Sequence, residues 1–225
     1  MEAEMASEAR WSQEADVDNG LWAGAFTAAL LVGLAGYLMA WVPHPSPALR
    51  IAGLDLGEYV KFLPEVRAGQ MRIVRELFYL PLFAGSLALL FAAWWTKGWW
   101  RWPARAVGGV ASLGVALLML PPVWTPATLF RGEFQVQGIA LLLCLVAALG
   151  SPALTIQKFR RAVSLPLASL CIAAATIPLA QFLWVHPALE KVYGSSLPVG
   201  PGAWLNLLGF SGAATQITIA WFRSQ

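Results

Sequence analysis

Six runs of apolar residues, separated by shorter polar stretches, dominate the chain. A helix needs about 20 mostly apolar residues to cross a hydrocarbon core of about 30 Å at about 1.5 Å per residue. The runs Leu21–Val42, Leu77–Trp95, Ala106–Val123, Val136–Ser151, Ser164–Val185 and Ala203–Phe222 approach or reach that length. None contains Asp, Glu, Lys, Arg or His. The fourth is short and needs a few more residues at either end. The sixth is the least apolar, with Asn206, Ser211, Thr215, Gln216 and Thr218. The pattern predicts an all-α fold, a polytopic membrane bundle of about six transmembrane helices.

The polar stretches are unequal. Residues 1–20 form an acidic tail, with Glu2, Glu4, Glu8, Glu14, Asp16 and Asp18 against the single base Arg10. Such a segment cannot bury a core of its own and is expected to be a disordered cytoplasmic tail ahead of the 21–225 transmembrane domain. The outer loop, residues 43–76, is the longest connection and the place where short interfacial helices are expected. Asp55, followed three residues later by Glu58, reads as an N-cap. Pro64 suits the first position of a further helix. Val66, Ile73, Val74 and Leu77 recur at helical spacing with Arg67, Arg72 and Arg75 between them, as on an amphipathic helix lying in an interface.

Composition agrees with the pattern. Hydrophobic residues are 58% of the chain and charged residues 12%, about half the roughly 25% of a soluble domain. Two Cys cannot form a disulfide framework, and a net charge of +3 is too small and scattered for a nucleic-acid interface. Tryptophans gather at the predicted span ends, among them Trp22, Trp41, Trp94, Trp95, Trp184, Trp204 and Trp221. Indoles settle at the headgroup level. The short connections after spans two and four carry Lys97, Arg101, Arg105, Lys158, Arg160 and Arg161 and no acid, which predicts both termini in the cytoplasm. The composition suits a bacterial inner membrane.

Candidate chemistry is sparse. In span six, Ser211 and Thr215 share one helix face, and Asn206 and Gln216 border an adjacent face of small residues. These four are candidates for a solute site or for helix contacts. In the outer loop, Glu58, Glu65, Arg72 and Glu76 are candidates for binding or for proton handling beside arginines. His44 and His186 follow spans one and five, each before a proline. They are weak candidates for holding haem or a metal, and no cofactor is predicted. Cys144 and Cys171 lie within spans and are expected to pack as small hydrophobes. No catalytic motif is present, so an enzyme is not the leading reading.

Three functional classes follow. The leading one is an accessory or scaffold subunit of a larger membrane complex, of transporter or respiratory type, whose partners are the bilayer and other membrane subunits. The alternative is a permease or solute-binding component for a small neutral or apolar solute. The third is a membrane enzyme acting at the outer interface.

Overall fold

The computed structural model describes residues 2–96, 99–121, 124–125, 128–130 and 132–223, with side chains described from Gly20 onward. The chain is mostly helical. Its elements are α1 (Glu2–Leu38), a two-residue to three-residue ribbon of β1 (Ala40–Val42) and β2 (Ile51–Ala52), α2 (Gly53–Tyr59), α3 (Pro64–Arg67), α4 (Leu80–Trp95), α5 (Arg101–Leu117), α6 (Gln135–Gly150), α7 (Gln157–Tyr193) and α8 (Pro201–Arg223). Four helical stretches are long and apolar enough to cross a membrane: Gly20–Leu38, Arg75–Trp95, Gly132–Thr155 and Gln157–Tyr193. They fit a membrane location. The third and sixth apolar runs also fold as helices, α5 and α8.

Several boundaries differ from the sequence pattern. The first helix stops at Leu38, and Ala40–Val42 turns into a strand paired with Ile51–Ala52. Pro43 lies just beyond and disfavours helix at the residue before it. At its other end α1 extends back to Glu2, through the acidic segment that composition predicts as disordered; the stretch is rich in Ala and Glu, both strong helix formers. The third run is helical only to Leu117, and its last two residues, Pro122 and Val123, lie outside the described residues. The fifth runs from Gln157 to Tyr193, well beyond Ser164–Val185, and ends at Gly194 with φ +66°. At about 1.5 Å per residue its 37 residues exceed what a bilayer core requires, so α7 reaches both ends of the bundle.

Helix α7 continues through Pro166, Pro178 and Pro187. Each proline removes the N–H that would bond the carbonyl four residues back. For Pro178 that carbonyl belongs to Ala174, and Asn206 Nδ2 of α8 donates to it at 3.2 Å. Asn206 and Ala174 are both fully buried. An orphan carbonyl in an apolar interior is costly, and the amide supplies the missing donor from a neighbouring helix. Asn206 is therefore a packing residue between α7 and α8.

The same helix, α8, lies against α1 at backbone distance. A Cβ added to Gly209 would overlap the backbone of Gly33, and one added to Gly36 would overlap the backbone of Asn206. In an apolar phase helices gain by such close approach, because lipid offers no hydrophobic drive. Elsewhere α4 and α5 are joined by a buried hydroxyl pair, Ser86 to Ser112 at 2.9 Å. Helix α4 is the interior member: 72% of its apolar stretch is buried, against 22% for the stretch around α6. Cys144 and Cys171 are buried and unbridged, packed in the core as expected.

The Pro178–Asn206 relation generates a double-mutant test. Asn206→Leu alone should cost about 1–3 kcal/mol by leaving the Ala174 carbonyl unpaired. In a Pro178→Ala background, where residue 178 regains its N–H, the same substitution should cost less than half as much. Thermal unfolding of the four proteins in one detergent measures the cycle. Equal losses in both backgrounds would show that the amide does not serve this carbonyl.

Candidate functional site

The longest connection folds down over one end of the bundle. Its first anchor is the ribbon, whose Trp41 carbonyl accepts the Gly200 N–H at 2.8 Å. Helix α2 then begins with Ala52 at its cap, and Asp55 at the third helical position accepts the Ala52 N–H at 3.3 Å. The cap thus lies three residues earlier than the Asp55 N-cap read from sequence, because the strand delivers the chain directly into the helix. Gly53 and Gly57 are four apart and share a face. A Cβ on Gly53 would overlap Tyr37 and Trp41, and one on Gly57 would press on the Tyr79 ring. These contacts seat α2 on the bundle end.

Apolar burial holds the loop there. Ile51, Leu56, Val60 and Leu63 are at most 3% exposed and join the core cluster of Trp41, Phe78, Phe182 and Leu189. A fully buried Leu or Val contributes about 1.5–3 kcal/mol. Pro64 opens α3 at its first position, as predicted. The helical spacing from Val66 to Leu77 is not realised. The helix stops at Arg67, Gly69 takes φ +70°, and helical turns resume only at Arg75 as a 3-10 segment leading into α4. A left-handed residue at the helix end is what glycine permits most cheaply.

Arg75 is the electrostatic centre of this cap. Its side chain is 13% exposed and faces three carboxylates: Glu76 at 3.1 Å, Glu133 at 3.1 Å and Glu58 at 3.6 Å. It also donates to the Glu133 carbonyl at 2.7 Å. One planar guanidinium with several fixed donors can satisfy such a set. Glu58 in turn pairs with Lys61 at 2.5 Å and accepts the Tyr79 hydroxyl at 3.3 Å. The network links α2, the segment before α4 and the segment before α6.

A cavity of about 250 Å³ lies beside this network, between the first turns of α4 and α6. Glu76, Tyr79 and Gln137 line it together with apolar residues such as Phe83, Met119 and Leu143. Gln137 is 2% exposed, and neither its amide nitrogen nor its amide oxygen makes a well-formed hydrogen bond among the described residues, although the Tyr79 hydroxyl is close enough to interact with it. A buried amide offers two donors and an acceptor, and one left unpaired costs about 1–3 kcal/mol. This side chain was not among the sequence candidates. Its signal was a lone interior amide at the start of a run otherwise ready for the bilayer.

The structure brings Glu58 and Glu76 together through Arg75. It does not bring the other candidates to them. Glu65 pairs instead with Lys191 at the end of α7, at 3.3 Å. Its own backbone N–H, and then Lys191, hold the Glu65 carboxyl below the usual carboxylate range. Arg72 is exposed. On α8, Thr215 is exposed and bonds back to the Ser211 carbonyl, while Gln216 offers its backbone carbonyl to Trp22. These are helix-surface and packing roles. His44 Nδ1 accepts the Ser46 N–H, and its ring lies 5.7 Å from that of Tyr193. His186 sits inside α7, since Pro187 does not end the helix, with Nδ1 4.0 Å from Glu190 and its ring against Phe182. Among the described residues no group of three or more His, Cys, Asp or Glu could hold a metal ion.

No protein-family model, curated protein or solved structure matches this chain.

Loss of the hub should loosen the cap before it loosens the bundle. Arg75→Gln leaves three carboxylates without their shared cation and should cost about 1–3 kcal/mol, discounted for their partial exposure. Arg75→Lys should not restore it, because an ammonium cannot span the set. Hydrogen exchange should speed up across residues 53–67 while α4 and α7 remain protected. Uniform protection in both variants would remove Arg75 from this role.

Proposed function

We propose that this chain is a six-span protein of a bacterial inner membrane, with both termini cytoplasmic, that works as a solute-binding, non-catalytic component. The observation that carries the reading is the Gln137 amide, buried and without a well-formed hydrogen bond among the described residues, on the wall of a cavity of about 250 Å³. A ligand suited to it is small, neutral and mostly apolar, with one carbonyl or hydroxyl to meet the amide and the neighbouring Tyr79 hydroxyl. The carboxylates and bases around the cavity are engaged with one another, which favours binding over acid–base chemistry there.

Six spans are supported by the six helices that fall on the six apolar runs. The orientation is supported by the grouping of ends. The outer loop meets Glu133, Lys191 and Gly200 at one end of the bundle, and Trp22, Trp95 and Arg160 meet at the other. Basic connections free of acid belong on the cytoplasmic side.

A role as an accessory or scaffold subunit of a larger membrane complex is the second reading, and α6 favours it. Val136, Ile139, Leu142, Leu143, Val146 and Leu149 are 45–83% exposed along that helix, so its outward side meets either lipid or a neighbouring membrane chain.

Two experiments test these readings. Organic extraction of the purified protein, followed by mass spectrometry, should release a small molecule from the wild type and not from Gln137→Leu. That variant should melt at the same temperature or higher, since it removes an unpaired buried amide. Identical extracts from both proteins would sink the binding role. For orientation, single cysteines at Gly69 or Ser195 should react with an impermeant thiol reagent in intact cells, while cysteines at Ser7 or Gly98 should not. The native Cys144 and Cys171 are buried and give little background. The reverse labelling would invert the topology.

A further inference from the structure

A second and larger cavity, about 430 Å³, lies at the opposite end of the bundle from the polar cap. It runs between α4, α6 and α7, from Leu87 and Leu170 near their middles to Leu154 and Phe159 at the turn joining α6 to α7. Its lining is apolar. Val146 and Phe159 on its walls are 58% and 43% exposed, so the cavity is a groove that opens on the outside of the bundle. Its long axis follows the helices, as an acyl chain in the adjoining leaflet does.

The mouth of the groove is basic and aromatic. Phe91 lines the groove, and its ring lies 5.3 Å from that of Trp95, one turn further along α4. The Arg160 guanidinium sits over the Trp95 ring at 4.6 Å. On the neighbouring indole, Arg105 sits over Trp94 at 4.0 Å, with its Nε buried and without a hydrogen-bonding partner among the described residues. No described carboxylate pairs with Arg160 or Arg105. Stacking on an indole uses the face of a guanidinium and leaves the N–H groups at its edge available to an anion. Lys158, next to Phe159 in the chain, is exposed at the same end.

We infer that the groove is a binding site for an acidic phospholipid of the cytoplasmic leaflet, with an acyl chain between α4, α6 and α7 and the phosphate on Arg160. The inference rests on the membrane-spanning reading and is independent of the Gln137 cavity. Charge complementarity selects this occupant. The two connections at this end carry bases and no acid, the acids here being confined to the segment that opens α1, and anionic lipids attract such basic clusters at the cytoplasmic surface.

Native mass spectrometry of the full-length protein, incubated with phosphatidylglycerol or with phosphatidylcholine of the same acyl chains, tests it. The wild type should retain phosphatidylglycerol roughly fivefold better, the equivalent of about 1 kcal/mol for one base at an anionic surface. Arg160→Gln should bring the ratio to about one, and Arg160→Lys should keep most of it, because the charge is what the surface term reads. Gly150→Leu should lower retention of both lipids. Gly150 lines the groove, and a Cβ there meets nothing within 4 Å, so this variant fills the slot without disturbing the fold. Equal retention of the two lipids by the wild type would overturn the proposal, whether the acidic segment of the chain or a second copy occupies the groove. So would unchanged selectivity in Arg160→Gln, or unchanged retention in Gly150→Leu. Failure of the membrane reading would look different: the protein would be recovered without detergent.

Discussion

Pro178 removes one N–H from the interior of α7, and the bundle is arranged so that Asn206 replaces it. The demand comes from the medium. In water the Ala174 carbonyl would find a solvent donor, whereas in an apolar interior it must find one in the protein. That fixes the height of α8 against α7. With Asn206 at that height, Gly209 falls opposite Gly33 and the Asn206 backbone opposite Gly36, where α1 and α8 touch without side chains between them. The start of α8 then lies beside the end of α1, and the Gly200 N–H reaches the Trp41 carbonyl. The ribbon that begins the cap is anchored there.

The two ends of the bundle solve the problem of charge in opposite ways. At the cap, Arg75 is surrounded by carboxylates from three separate segments, and the set closes on itself. What remains unsatisfied beside it is neutral, the Gln137 amide. At the other end Arg105 and Arg160 lie on indole faces with no described carboxylate beside them. Cation–π contact at partly exposed sites contributes about 0.5–1 kcal/mol, enough to hold a guanidinium in place while leaving its edge to an outside anion. One end is therefore suited to a neutral ligand and the other to an anionic one. Helix α7 spans the distance between them, with Lys191 on the cap and Arg160 at the groove mouth.

The candidate site was legible in part. Glu58 and Glu76 stand out in any reading of the loop because acids are scarce in this chain. Arg75 does not stand out from Arg67 and Arg72, since its importance comes from Glu133, 58 residues further on. Gln137 was hidden because one amide does not interrupt an apolar run. Asn206 was visible as a candidate for a solute site or a helix contact, but not its partner. Its purpose lies in a proline on another helix, and a sequence pattern within one helix cannot reveal that. Thr215 and Ser211 looked like a polar face, yet the Thr215 hydroxyl bonds the Ser211 carbonyl of its own helix and needs no partner beyond that helix.

The sequence by itself determined the helical class, the positions of the apolar runs, the aromatic ends and the one-sided distribution of bases. All of these follow from local composition set against the thickness and polarity of a bilayer. Tertiary structure decided where helices stop, which polar groups meet and where the cavities lie. Val42 leaves the first helix because it pairs with Ile51, nine residues further on, in the ribbon. The fifth helix passes three prolines, and at Pro178 a donor from α8 meets the carbonyl left open. The carboxylates gather on Arg75 because α2 is seated on glycines against Tyr37, Trp41 and Tyr79. Each of these depends on a group distant in sequence satisfying a hydrogen bond or filling a contact, and that satisfaction exists only once the chain has folded.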